Sequence, residues 1–242
     1  MLASDAPAAG GALSPALRHW GRCVGAVLRK DVQAEWRTRY GVGAAALFAV
    51  TTLTAVSAAV SGSLVKSDVK AALLWVILLF AALSGLSRAF VREEEAGTAD
   101  ALRLSAPATA VLAGKVLFNI TLTLVVEGVS VPLFLVVLPP QTVHWGVLAG
   151  ALLLGGVGLA AVATFVAALV AQASAGKSAL FFMVAFPVLL PLLLMAVQAT
   201  IGAFDLLPSH QARAISDLKL LAAYGIVMTT LSFLLFETVW HD

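Results

Sequence analysis

Residues Ser178 to Phe204 read SALFFMVAFPVLLPLLLMAVQATIGAF, 27 positions without Asp, Glu, Lys or Arg. A helix rises ~1.5 Å per residue, so ~20 apolar residues cross the ~30 Å hydrocarbon core of a bilayer. Working outward, Gly41–Val65, Ala71–Ser87, Trp145–Gly176 and Leu220–Phe236 are equally free of charge, and Val116–Leu138 is interrupted only by Glu127. Pro139, Pro140, Gln141 and Thr142 mark the turn between that sixth run and the one starting at Trp145. The chain is 61% apolar and 12% charged, against about 25% charged in soluble domains. These features predict an all-α integral membrane protein with about six transmembrane helices, near 42–64, 71–90, 116–138, 146–171, 179–201 and 218–239.

The position of the basic residues sets orientation. With six spans, Arg18, Arg22, Arg29, Lys30, Arg37, Arg39, Arg88, Arg92, Arg103, Lys115 and Lys177 share one side, and Lys66, Lys70, Arg213 and Lys219 the other, eleven against four. The positive-inside rule therefore puts both termini in the cytoplasm. Trp36, Trp75, Trp145 and Trp240 fall near the expected span ends, where an indole prefers to sit. The one cysteine, Cys23, has no partner for an internal disulfide and falls on the reducing side.

Ahead of the first span, residues 1–15 are rich in Ala, Gly, Pro and Ser and are expected to form a disordered tail. The first apolar run starts too late and runs too long for a cleaved signal peptide. In residues 16–40, Leu17, Trp20, Val24, Val27 or Leu28, Val32 and Trp36 recur at helical spacing with arginines interleaved. That pattern describes a basic amphipathic helix suited to lie in the membrane interface. Residues 41–242 form the six-helix membrane domain. No internal repeat, heptad run or basic patch with interleaved aromatics is present, so nucleic acid is excluded as a partner. The connecting loops are too short to fold into a soluble domain, and chemistry that needs one must come from another chain.

The longest connection follows the second span: Arg88, Ala89, Phe90, Val91, Arg92, Glu93, Glu94, Glu95, Ala96, Gly97, Thr98, Ala99, Asp100, Ala101, Leu102, Arg103, Leu104, Ser105, Ala106, Pro107. Gly97 suits the left-handed conformation that ends a helix, Thr98 can cap the next, and Asp100 falls in its first turn. Pro107 then stops that short helix. The segment reads as a charged cytoplasmic elbow. Its bland alternative is a solvated charge run.

This elbow, with Arg92-Glu93-Glu94-Glu95-Ala96-Gly97-Thr98 and Leu104-Ser105-Ala106-Pro107, resembles the first cytoplasmic loop of ABC-2 type exporter permeases. Within them the chain most resembles the cytochrome c maturation protein B family, or heme exporter protein B. Lys30-Asp31, Glu35 and Arg37 resemble that family's approach to the first span. Ala99-Asp100 departs from the family's usual Leu-Glu, and Ser105-Ala106-Pro107 from its usual Ser-Pro.

The resemblance implies a permease subunit, not an enzyme, for c-type cytochrome biogenesis in the bacterial cytoplasmic (inner) membrane. It implies an elbow at Arg92, Glu93, Glu94, Glu95, Gly97 and Thr98 that couples to separate ATPase subunits (CcmA-like) holding the ATP. It also implies CcmC-like and CcmD-like membrane partners, a periplasmic heme chaperone, no intrinsic cofactor, and heme as the substrate exported or released with its chaperone. Two rivals are a permease for another amphiphile, such as a drug, lipid or glycan, and an assembly subunit that transports nothing.

Four further features stand out. Ala171 to Ser178, AQASAGKS, matches a loosened phosphate loop, but it joins two spans where a working loop follows a buried strand. Lys177 is expected instead to anchor topology. Glu127 lies mid-span, where a charged carboxylate costs roughly 2.5–3.5 kcal/mol; hydroxyls or proline-freed carbonyls near Pro132, Pro187 and Pro191 are its expected partners, in gating or in holding helices together. His144 and His210 fall on the outer side as weak candidates for heme iron. Ordinary loop histidines are the commoner outcome. Gly146 and Gly150 form a small-xxx-small pair that marks close packing at most.

Overall fold

The computed structural model describes residues 15–60, 65–86, 97, 102, 104–171, 177–205 and 208–241. Among them the chain forms seven helices and no strand: α1 (Pro15–Thr38), α2 (Tyr40–Val60), α3 (Ser67–Leu86), α4 (Ala108–Val137), α5 (Trp145–Ala171), α6 (Lys177–Phe204) and α7 (Pro208–His241). Helices α2 to α7 are each long and apolar enough to cross a membrane. The expected tail lies outside the described residues apart from Pro15, which opens α1.

Helix α5 is the hub. Of its span 72% is buried within the bundle, against 17% for α2 and 11% for α7, and it packs on α3, α4, α6 and α7. Glycines permit the close approaches. A Cβ at Gly155 would stand 2.9 Å from Cζ2 and Cζ3 of Trp75 on α3 and nearer still to Cη2. The Gly146 and Gly150 pair is less engaged: a Cβ at Gly146 would meet nothing, and one at Gly150 only Leu218.

Trp75 departs from its expected place in the interface. It is 1% exposed, and its indole Nε1 donates to Thr200 Oγ1 at 2.8 Å. Burial is tolerated because that one polar atom has a partner and Gly155 leaves room for the ring.

Within the spans most hydroxyls follow one rule. Thr54, Thr121, Thr164, Thr200, Thr229, Thr230 and Ser232 each donate to the carbonyl four residues back, at 2.5–2.8 Å. Without water, a helix side chain satisfies itself on its own backbone. In α6, which contains Pro187 and Pro191, the Tyr224 hydroxyl of α7 donates to the Val188 carbonyl.

Helix α1 meets α2 at a sharp corner. Arg39 takes the left-handed conformation, φ 51°, and its N–H donates to the Glu35 carbonyl at 2.6 Å. The Glu35 carboxylate accepts the Val42 N–H at 3.0 Å, satisfying one of the donors that a helix start leaves open. From this corner α1 runs back against α4. Val24 and Val27 are buried there, and a Cβ at Gly114 would come within 2.7 Å of Val27 Cβ. Trp20 Nε1 donates to Thr109 Oγ1 at 3.2 Å. The rest of the amphipathic stripe, Leu17, Val32 and Trp36, stays exposed.

At the opposite end of the bundle, the last carbonyls of α6 gather the connections. The Ala203 carbonyl accepts His144 N–H at 2.8 Å, and the Phe204 carbonyl accepts Ser67 and Thr142 hydroxyls at 3.3 and 3.4 Å.

Candidate functional site: the polar face of α4

Helix α4 begins at Ala108, eight residues before the expected span, and its 30 residues make it ~45 Å long. The added turns carry Lys115 inside the helix. Read from sequence as a topology-setting loop cation, Lys115 is 2% exposed, and its Nζ lies 3.1 Å from Asp31 Oδ2 on α1. Docking of α1 at Gly114 covers it, and the carboxylate compensates a charge that burial alone would expel.

Lys115 opens a series. Asn119, Thr123, Glu127 and Ser130 follow at steps of four, four, four and three, so all five share one helix face, and all are buried. Asn119, Thr123 and Ser130, none of them singled out in the sequence, belong to it. The signal was present in the sequence as polar residues at helical spacing inside an apolar run. From Lys115 to Ser130 the series covers ~22 Å of the bilayer's ~30 Å.

This face looks onto a stripe of small residues on α5. Asn119 Nδ2 donates to Thr164 Oγ1 at 2.7 Å, and eight residues on, Glu127 lies against Gly156. The helices run antiparallel, so Ala160 comes opposite Thr123 and Ala168 opposite Lys115, and both alanines are buried. A Cβ at Gly156 would stand 2.5 Å from Glu127 Oε1. The missing side chain is the seat of the carboxyl group.

Glu127 is 6% exposed, and no described residue hydrogen-bonds to it. The hydroxyls one turn either side do not follow the rule above. Thr123 Oγ1 and Ser130 Oγ are buried without a partner among the described residues, as is Asn119 Oδ1. The hydroxyl and carbonyl bonds expected for Glu127 are therefore not made here. A buried polar group without a bond costs about 1–3 kcal/mol. Several such groups on one face form a polar seam between α4 and α5.

The elbow leads directly into α4. Of its expected coupling residues, Arg92, Glu93, Glu94, Glu95 and Thr98 lie outside the described residues. Gly97 is described, and its φ of 64° is the left-handed conformation its sequence context called for. Leu102, Leu104 and Ser105 are helical, Leu102 packs against the main core, and Leu104 is 91% exposed. Pro107 at φ −61°, ψ 144° is extended, and its carbonyl accepts the Ala110 and Val111 N–H groups at 2.9 and 3.1 Å, starting α4. The phosphate-loop look-alike joins the end of α5 to the start of α6, residues 172–176 lying outside the description. Among the described residues no cluster of His, Cys, Asp and Glu suits a metal ion.

Six apolar helices, one of them central, with a polar face inside and an amphipathic helix docked beside them, define a multi-pass membrane protein. The family model for the CcmB protein matches residues 22–238, nearly the whole chain, and the chain belongs to this family. It is accordingly a membrane permease component of the heme exporter system of cytochrome c biogenesis, a transporter subunit and not an enzyme. No curated protein matches the sequence significantly.

Proposed function

We propose that this chain is the membrane-spanning subunit of an ABC complex that uses ATP, bound by separate CcmA-like subunits, to export heme or to release a heme-loaded periplasmic chaperone. It sits in the bacterial inner membrane with both termini in the cytoplasm and works beside CcmC-like and CcmD-like proteins. Heme is substrate, not resident cofactor. The observation that carries this reading is the family match over residues 22–238 of a six-span bundle.

The elbow around Arg92, Glu93, Glu94, Glu95, Gly97 and Thr98 docks on the ATPase. Its movement reaches α4 first, because Pro107 joins the two directly and α1 holds α4 through Asp31 and Lys115. The α4–α5 seam then shifts, and Glu127 exchanges its seat on Gly156 for a bonded position. Between the two modes, the packing favours chaperone release. The polar series faces Gly156, Ala160 and Thr164 at close range, which suits helices that move against one another better than a standing polar route.

The test is deletion of the gene, complemented with the natural chain or with Glu93→Lys/Glu94→Lys, followed by heme staining of membrane and periplasmic proteins. Deletion should abolish c-type cytochromes. The reversed elbow should insert but fail both to restore them and to co-purify ATPase. Persistent c-type cytochromes in the deletion strain refute the function; undiminished co-purification refutes the elbow's role.

A further inference from the structure

At the end of the bundle opposite α1, a cleft of about 960 Å³ opens between the ends of α2, α3, α6 and α7 and the α4–α5 connection. That is the upper range of small-molecule sites, which run to about 1,000 Å³. Val60, Val137, Leu138 and Ile201 supply apolar wall, and Lys66, Lys70 and His210 are among its polar lining residues.

The state of these groups decides what the cleft accepts. His210 Nδ1 lies 2.8 Å from Asp205 Oδ2. A carboxylate accepts, so Nδ1 donates, and in the neutral imidazole Nε2 carries the lone pair. An imidazole oriented by a carboxylate on its other nitrogen is the arrangement that metal-binding histidines use. Lys70 Nζ donates to the Pro139 carbonyl at 2.5 Å, which fixes the ammonium at the cleft wall and leaves two N–H donors. Lys66 is exposed beside it. The acidic lining residues are otherwise engaged: Asp205 holds His210, and Asp68 Oδ1 accepts the Val69 N–H at 2.9 Å at the start of α3.

From this geometry we infer that the cleft binds an amphipathic metal chelate bearing carboxylates, a metalloporphyrin, with His210 Nε2 as axial ligand and Lys66 and Lys70 on the carboxylates. The choice of porphyrin among such chelates rests on the heme-handling function proposed above. In the orientation proposed for the chain the site faces the periplasm, where a heme chaperone would approach.

Full-length chain in phospholipid nanodiscs, with empty nanodiscs as blank, is titrated with ferric protoporphyrin IX by absorption and with metal-free protoporphyrin IX by fluorescence. The unsubstituted chain should bind both saturably and give the ferric form the spectrum of histidine ligation. His210→Ala should abolish that spectrum and keep metal-free binding, which also shows that the variant is folded. Asp205→Asn should weaken ferric binding about 10- to 100-fold, the usual loss when a ligand's supporting carboxylate goes. Lys66→Gln/Lys70→Gln should weaken both porphyrins. No saturable binding, a His210→Ala spectrum identical to that of the unsubstituted chain, or lysine changes without effect each overturns the site. Any of these, with c-type cytochromes still lost on deletion, removes the site and leaves the function; cytochromes that survive deletion remove the function itself.

Discussion

Lys115 and Glu127 lie twelve residues apart on the same face of α4, both buried, and the fold treats them oppositely. Lys115 meets Asp31 at 3.1 Å near the end of the helix where α1 docks. Glu127 sits deeper, against a glycine, between two hydroxyls that also lack partners among the described residues. The first arrangement is what stability requires of a buried charge. The second forgoes stability in the middle of a span, where most neighbouring hydroxyls are satisfied on their own backbone. In the cycle proposed above, Glu127 is the group that moves to a second position.

The contrast is open to a direct test, because one replacement at each site should act with opposite sign. Lys115→Met keeps volume and leaves Asp31, at 12% exposure, the weaker pairing with the half-exposed Lys30 at 3.7 Å. Loss of one partner of a buried pair costs about 3–5 kcal/mol, visible as a lowered melting temperature in detergent and as faster hydrogen exchange in α1. Adding Asp31→Asn should restore most of it. If Lys115→Met melts with the unsubstituted chain, the pair is not what holds α1.

Glu127→Met should do the reverse. Removing a buried carboxyl that no described residue bonds relieves about 1–3 kcal/mol, so the variant should melt higher while c-type cytochrome formation falls. A lower melting temperature would reveal a structural bond to Glu127 and end its candidacy as a moving part.

This pairing also shows what could be read in advance. The spans were legible because charge-free runs of 17 to 32 residues admit few other structures. Gly97 was legible because glycine adopts, without a Cβ penalty, the left-handed conformation that ends a helix, and Glu127 because one acid in an apolar run stands out. Lys115 was misplaced for a physical reason: counting charges assumes that a cation sits in water, and the acid that lets it leave water is 84 positions away, in another helix. Trp75 was misplaced likewise, since burying an indole depends on a hydroxyl and a glycine from two other spans. The seats at Gly114 and Gly156 are tertiary facts. In the sequence they look like any other membrane glycine, as Gly146 and Gly150 do.

The sharpest division of structural from functional burial comes from adjacent glycines with different neighbours. At Gly155 an added methyl meets the ring of Trp75, which is packed all round and bonded to Thr200, so Gly155→Ala should cost the 1–3 kcal/mol typical of overpacking, about 2 kcal/mol. At Gly156 the methyl's nearest contact is the tip of Glu127, which can swing aside. The rise in helix propensity from glycine to alanine, about 1 kcal/mol, offsets that displacement. Gly156→Ala should therefore melt within a degree or two of the unsubstituted chain, the smallest change of the set, yet lower cytochrome formation toward the level of Glu127→Met, because the carboxyl has lost its seat. Full activity at unchanged stability would show that the position of Glu127 against α5 is incidental, and the search for the moving group would pass to Asn119 and Thr164 on the same interface.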